Sequence, residues 1–347
     1  MRILLTGHQG FIGAVAVSML IEAGHEVVGL DSGLFEECRF GNKKPPEVPA
    51  IRKDFRDVEP ADLKGFDAVL HLAALSNDPL GNIDGDLTYD INLDGSVRLA
   101  KLAKEVGVER FVFASSCSTY GAGGDDLLDE EADFNPVTPY GIAKVKAEQA
   151  LAMLADDDFS PTFMRNATAY GVSPRLRLDI VLNNLVAHAH TTGRVYMMSD
   201  GTPWRPIVHL RDIVAAMMAA AEAPREAVHN QAFNVCRSSE NYRIRELAEI
   251  VAEVVPGSRI EYAPDAGPDK RCYRVDCSKI AEMLPAFQPQ WNARQGAEEL
   301  YAAYQTAELT KEDVEGARYI RLKHITGLME SGRLGPDLRW TSAAVAT

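Results

Sequence analysis

The stretch RILLTGHQGFIG, residues 2–13, decides the fold. RILLT is a short apolar run that fits a buried strand. Gly7, Gly10 and Gly13 follow as a GxxGxxG, with Phe11 and Ile12 inside it. From Ile12 to Ala23 the apolar positions recur at helical spacing, and Gly24 stops the run. Strand, glycine-rich turn and helix in that order make a phosphate cradle. The glycines let the backbone approach a pyrophosphate, and the helix start supplies free N–H groups and a positive dipole end. HEVVGLD, residues 25–31, reads as a second strand closed by Asp31. An acidic residue there accepts hydrogen bonds from the adenosine ribose hydroxyls and repels a 2′-phosphate. SGLFEE, residues 32–37, brings no arginine to offset that repulsion. NAD is therefore favoured over NADP as cofactor.

Working outward, FDAVLHLAA (66–74) and ERFVFASS (109–116) are strand-like, with a helical stretch at about 87–106 between them. Alternating strands and helices predict an α/β fold with a Rossmann-type, doubly wound parallel sheet. It is expected over residues 1–170, with returning segments near 205–237. Residues 32–50 read as loop. Further strand-like pieces lie at 162–165, 194–198 and 232–236, and helical stretches near 180–192, 211–223 and 243–254. Residues 171–204 and 238–308 should form a smaller C-terminal α/β substrate-binding region. An extension, 309–347, carries a helix around 318–331 that reads as a packed surface helix without an assigned task.

The 347 residues are 46% hydrophobic and 25% charged, a mix that buries a large core without staples. Thirty-six Lys and Arg face fifty Asp and Glu, a formal charge of −14. That field opposes nucleic acid and anionic membranes but leaves room for a small anionic ligand met by a few arginines. The opening residues lack the apolar stretch of a signal peptide, and no window approaches a membrane span. Cys38, Cys117, Cys236, Cys272 and Cys277 are scattered, with no CxxC pair. This suits a reducing cytoplasm, the expected location, and argues against a disulfide framework or a metal site.

Tyr140 and Lys144 form a Tyr-x-x-x-Lys. On a helix the two side chains share a face. An ammonium beside a phenol is expected to lower its pKa and make it a usable acid/base. Tyr319 and Lys323 repeat the spacing. Position favours the first pair, which follows the hydroxyl-rich strand end Ser115 to Gly121. Tyr319 reads as a surface helix residue.

TGHQGFIG, LDSG, KDFRD (53–57), HLAALSND (71–78), the neighbourhood of Asn92, SSCSTYG, YGIAK, MRNATAYG (164–171) and WRPIVHLRD (204–212) occur in that order. The chain thereby resembles the extended short-chain dehydrogenase/reductase family, in its nucleotide-sugar epimerase/dehydratase branch. The resemblance implies a nucleoside-diphosphate sugar as substrate and Ser116, Tyr140 and Lys144 as catalytic residues. It implies Asp54 and Phe55 beside the adenine. Leu72, Ala73, Ala74 and Ser76 would line the pyrophosphate and nicotinamide ribose. Ser118, Thr168, Asn183, Asn184, Arg205 and Arg271 would meet the substrate. Thr168 stands where many relatives carry asparagine.

The 4,6-dehydratases of the family carry an Asp-Glu pair after the serine, and the decarboxylases a glutamate in this turn. Here Cys117 and Ser118 occupy those positions. Elimination needs a positioned acid and base, so dehydration is disfavoured. Cys117 lies one position from the cysteine of 3,5-epimerases and reads as a packed thiol. C4 epimerisation through a transient 4-keto sugar remains, with Tyr140 as acid/base. The alternatives are a 4-ketoreductase using NAD(P)H, a 3,5-epimerase and a non-catalytic NAD sensor. Arg175 and Arg177 could meet a decorated sugar but read more safely as a solvated loop. A homodimer is expected through helices at about 87–106 and 138–154.

Overall fold

A computed structural model describes residues 1–41, 44–267 and 271–341. Seven strands build the large sheet: β1 Arg2–Thr6, β2 Glu26–Asp31, β3 Ala50–Arg52, β4 Ala68–His71, β5 Arg110–Ser116, β6 Ser160–Asn166 and β7 Gln231–Val235. Their spatial order is β7-β6-β5-β4-β1-β2-β3, and every pairing is parallel. Both faces are covered, as parallel sheets require. Ile3 and Leu5 pack on one side with the helices Gly13–Glu22 and Leu210–Glu222, while Leu4, Val69, Phe111 and Phe113 pack on the other with Ser96–Glu105 and Pro139–Ala152. The sequence order reverses between β1 and β4, which opens a crevice at their carboxyl ends.

After β6 the chain leaves the large sheet. Trp204–His209 pairs in parallel with Thr168–Tyr170 and antiparallel with Asn241–Arg243. Arg194–Ser199 pairs with Arg259–Gly267. The helices Val181–Thr192, Ile244–Val254 and Ala293–Thr306 enclose a separate core around Leu182, Leu247 and Tyr304.

Three local expectations are corrected. The helix expected at 87–106 is three pieces: Gly85–Tyr89, a wide π-helical stretch Asp90–Gly95, and Ser96–Glu105. The wide turn lets Asn92 reach inward, where its amide both accepts from Leu75 N (2.8 Å) and donates to Leu75 O (3.0 Å). Cys236 and Cys277 form a disulfide, against the reading that disfavoured one. Forty-one residues separate them, and only the return of β7 brings them together. Tyr319 is buried rather than exposed and precedes the helix Arg321–Glu330. Its hydroxyl donates to Arg39 O (3.0 Å). No helix among the described residues is long and apolar enough to cross a membrane.

A buried relay ties β1, β4 and the π-helical stretch together. Thr6 Oγ1 accepts from the N–H groups of Leu72 and Ala73 and lies 2.7 Å from His71 Nδ1. His71 Nε2 is 2.9 Å from Ser96 Oγ, which itself donates to Asn92 O. The relay uses the neutral imidazole, with Nε2 carrying the proton. Burial, with Lys144 adding to it, pulls His71 from 6.5 down to about 3. Between those values the unfolded chain binds a proton that the fold refuses, so stability falls on acidification. This group alone sets a slope of up to about 1.4 kcal/mol per pH unit. Urea midpoints taken from pH 7 to pH 4 should fall less steeply for His71→Gln than for the parent. Equal slopes would show that His71 does not carry this linkage.

Candidate active site

A cleft of about 760 Å³ runs along the carboxyl ends of the large sheet and into the smaller lobe. Gly7, Gly10, Phe11, Ile12 and Gly13 line one end. Gly7 has φ +71°, and a Cβ on it would stand 2.9 Å from Ala73 N. A Cβ on Gly13 would stand 2.0 Å from Gly7 O. Neither position admits a side chain, so the turn stays flat enough for a phosphate to reach its N–H groups.

Asp31 lies beside this turn. Its two oxygens accept from Gln9 N (3.0 Å) and Gly33 N (2.8 Å), and burial holds its carboxyl above the usual range against those donors. Asp54 and Phe55 line the same end. Asp54 caps the turn Phe55–Asp57 and is gripped by Arg56 at 2.7 Å. Leu72, Ala73, Ala74 and Ser76, just past β4, line the middle.

Ser116 ends β5, and its Oγ accepts from Ser118 N (3.1 Å). Tyr140 stands in the first turn of the helix Pro139–Ala152. Thr138 caps that helix and donates to Asp78 Oδ1 (2.6 Å). The sequence expectation of a lowered phenol is corrected here. Burial pushes Tyr140 up, and the hydrogen bond from Ser116 offsets it only in part. Lys144 Nζ lies 5.9 Å from the Tyr140 ring centre and 4.4 Å from that of Phe113, and donates to Ala114 O (2.6 Å). Burial pulls its ammonium down to about 7, while Glu148 one turn on raises it.

Glu148 was not singled out from the sequence. It is buried and takes hydrogen bonds from Ser115 Oγ and from Arg165 Nε and Nη2, the last at 2.8 Å. Arg165 also donates to Tyr120 Oη and Glu130 O. This network clamps the strand ends on which Ser116 sits. The signal was present, because Glu148 repeats the four-residue step from Tyr140 to Lys144.

On the substrate side Ser118, Thr168, Asn184, Arg205 and Arg271, expected to meet the substrate, also line the cleft. Arg205 is buried, with its guanidinium 5.6 Å from the Tyr273 ring centre, and Arg271 pairs with Asp78 at 2.6 Å. Asn183 is not brought there. It is fully buried, and its amide is spent on Gly171 N, Gly171 O and Arg177 O. Asn184 donates to Leu178 O at 2.9 Å. Cys117 is buried and donates to Arg165 O, and burial drives its thiol well above the ordinary range.

Arg175 and Arg177 are buried rather than solvated. Arg177 pairs with Asp179 (2.9 Å) and donates to Ser76 Oγ (3.0 Å). Tyr273 and Asn166 line the cleft and were missed. The strand register sets Asn166 directly beside Ser116, and its Oδ1 is buried without a hydrogen-bond partner in the structure. Among the described residues no cluster of His, Cys, Asp or Glu stands ready to hold a metal ion.

The glycine turn, Asp31 and the crevice between β1 and β4 together fit an NAD molecule laid across the strand ends. Comparison with known proteins agrees. The model of the NAD dependent epimerase/dehydratase family matches residues 3–236. A UDP-glucose 4-epimerase of Mycolicibacterium smegmatis is 31% identical over 303 residues, 84% of this chain and 94% of that protein. UDP-glucuronic acid decarboxylase 1 of Arabidopsis thaliana is 29% identical over 334 residues, 91% of this chain and 72% of that one. The structure of MoeE5 with UDP-glucose and NAD aligns with a TM-score of 0.76 at 27% identity, covering 89% of this chain and all of that one. A UDP-glucose-4-epimerase from Stenotrophomonas maltophila, with bound NAD and formylated UDP-arabinopyranose, shares the fold at a TM-score of 0.78 and 23% identity, over 89% of this chain and 99% of its own. The chain belongs to the NAD dependent epimerase/dehydratase family, and its cofactor is NAD.

Proposed function

We propose that this protein inverts the C4 hydroxyl of a nucleoside-diphosphate sugar through a transient 4-keto sugar. The carrying observation is the presence of Ser116, Tyr140 and Lys144 together in the cleft lining with an unreactive turn after Ser116. Cys117 is packed away from the cleft, and Ser118 offers only a hydroxyl. Hydride chemistry needs a proton shuttle, whereas elimination needs an added acid and base. Bound NAD supplies the hydride acceptor and donor. Tyr140 takes the proton of the sugar hydroxyl and returns it, Ser116 bonds the same oxygen, and Lys144 sets the charge beside the phenol. Arg205 and Arg271 bind the sugar diphosphate, with Ser118, Thr168 and Asn184 around the sugar. Asp31 holds the adenosine ribose.

Two copies pair in this reading. The π-helical stretch Asp90–Gly95 and the helices Ser96–Glu105 and Pro139–Ala152 frame a groove lined by Leu93, Val97, Leu102 and Ala150 together with Asp94, Arg98 and Lys101. Light scattering at low micromolar concentration should give about twice the 38.0 kDa chain mass, and a mass of 38.0 kDa would contradict pairing.

A panel of UDP-, GDP-, dTDP-, CDP- and ADP-sugars, offered to the protein as isolated, tests the activity. One member should be epimerised with no added cofactor. Turnover only at the expense of added NAD(P)H would replace the proposal with a 4-ketoreductase. Tyr140→Phe should keep its fold and its NAD while activity falls about a hundred- to ten-thousandfold; near-parental turnover would sink the mechanism. Arg205→Ala should weaken the sugar nucleotide by about one to two decades and leave NAD affinity unchanged. The reverse pattern would move Arg205 to the cofactor.

A further inference from the structure

The segment following the helix Ala293–Thr306 does not lie apart on the surface. It crosses the adenosine end of the cleft and touches both of its walls. On one wall, His324 Nε2 donates to Leu34 O (2.8 Å) and Trp340 Nε1 to Ser32 O (2.6 Å). Arg333 pairs with Glu37 at 2.8 Å. On the other wall, Arg339 pairs with Asp57 (2.8 Å), and Arg56 donates to Asp337 O (2.9 Å) while it grips Asp54. Leu338 is 2% exposed and lines the cleft between the two walls.

Arg321 is the polar centre of this segment. It lines the cleft and is 1% exposed, the largest fully buried side chain in the described structure. Its guanidinium stacks 4.4 Å from the Phe35 ring centre and donates through Nη2 to Arg175 O (2.8 Å). Nη1 has no hydrogen-bond partner in the structure. Asp179 is already engaged by Arg177 on both oxygens and by Asn77, and Arg175 adds a further buried cation with an unpartnered Nε. Burial lowers the Arg321 guanidinium only to about 10, so it stays charged at neutral pH. Buried charge without a counter-charge is costly. Arg175, whose charge acts on His8 of the glycine-rich turn, and Arg321, bonded to the Arg175 carbonyl and lining the same cleft as that turn, call for an anion in the cleft, and the diphosphate of NAD is a dianion suited to the turn.

We propose that residues 319–341 form a clasp over the adenosine half of the NAD site, in which Arg321 supplies a buried cation to the cofactor's diphosphate and Leu338 closes the end. The clasp makes NAD a resident group rather than a passing reactant. It depends on the family's cofactor and not on which sugar is turned over, so it can fail or stand independently of the epimerase reading.

The test is exchange of bound NAD for labelled NAD in the holoenzyme, with ADP-ribose, NADP and adenosine as competitors. Arg321→Met keeps the bulk over Phe35 and removes the charge. It should speed NAD exchange and weaken ADP-ribose by about ten- to hundredfold, the worth of a charge-assisted phosphate contact, and leave adenosine unchanged. Trp340→Ala, which loosens the clasp without touching its charge, should speed exchange of NAD while ADP-ribose retains its preference over adenosine. Arg318→Met, just before the clasp and outside the cleft lining, should change nothing. Exchange within twofold of the parent for both Arg321→Met and Trp340→Ala would overturn the clasp, even with a lowered thermal midpoint. A loss confined to NADP would assign Arg321 to a 2′-phosphate and overturn its role at the diphosphate. If Arg321→Met does not fold, Trp340→Ala decides: parental exchange rejects the clasp.

Discussion

Everything at the cofactor end depends on how closely two backbones pass. Gly7, leaving β1, lies so near Ala73, leaving β4, that no side chain fits between them. Gly13 is pressed against Gly7 O in the same way. These contacts bring the helix start over the crevice where the sheet order reverses. Thr6 secures the approach by accepting from the N–H groups of Leu72 and Ala73, and His71 and Ser96 carry the connection into the helix behind. A phosphate cradle is therefore a packing solution before it is a binding site.

The part of the cleft around Tyr140 is organised by buried charge instead. Lys144 is sunk beneath Tyr140, with a backbone carbonyl and a ring for company, and Glu148 balances it from one turn away. Glu148 also holds Ser115 and Arg165. The strand end that presents Ser116 and the helix that presents Tyr140 are thus fastened by one carboxylate. Removing either partner of such a buried pair strands the other, at a cost of several kcal/mol. The positions of Ser116 and Tyr140 follow from a network that the cleft itself does not display.

Much of this was legible in the chain. The switch from strand to helical spacing around Gly7–Gly13 specified the sheet, and Asp31, Ser116, Tyr140 and Lys144 all line the cleft. What escaped was long-range. Asn183 and Asn184 are neighbours in sequence, and only the packing of their helix decides that one faces the core and the other the cleft. Arg175 and Arg177 read as solvated because arginine usually is. Arg175 is met by a tail segment that folds back across nearly 150 residues, and Arg177 is held by Asp179 and Ser76, contacts that no local pattern displays. Cys236 and Cys277 likewise become partners only through tertiary return. Charge shifts were the least legible: spacing paired Tyr140 with Lys144, but desolvation governs both groups in the folded chain.

The path of the chain has a bearing on how such a protein can change. It leaves the large sheet after Asn166 and rejoins it at Gln231, only to leave again through the disulfide at Cys236. The smaller lobe is therefore threaded from two separate stretches, and the final strand of the cofactor sheet lies between them. No single cut would release one lobe or graft another in its place. A lineage with this threading cannot trade its smaller lobe as a module. It must rework the pocket one substitution at a time, with each change tolerated by a sheet whose last strand is embedded in the lobe being altered.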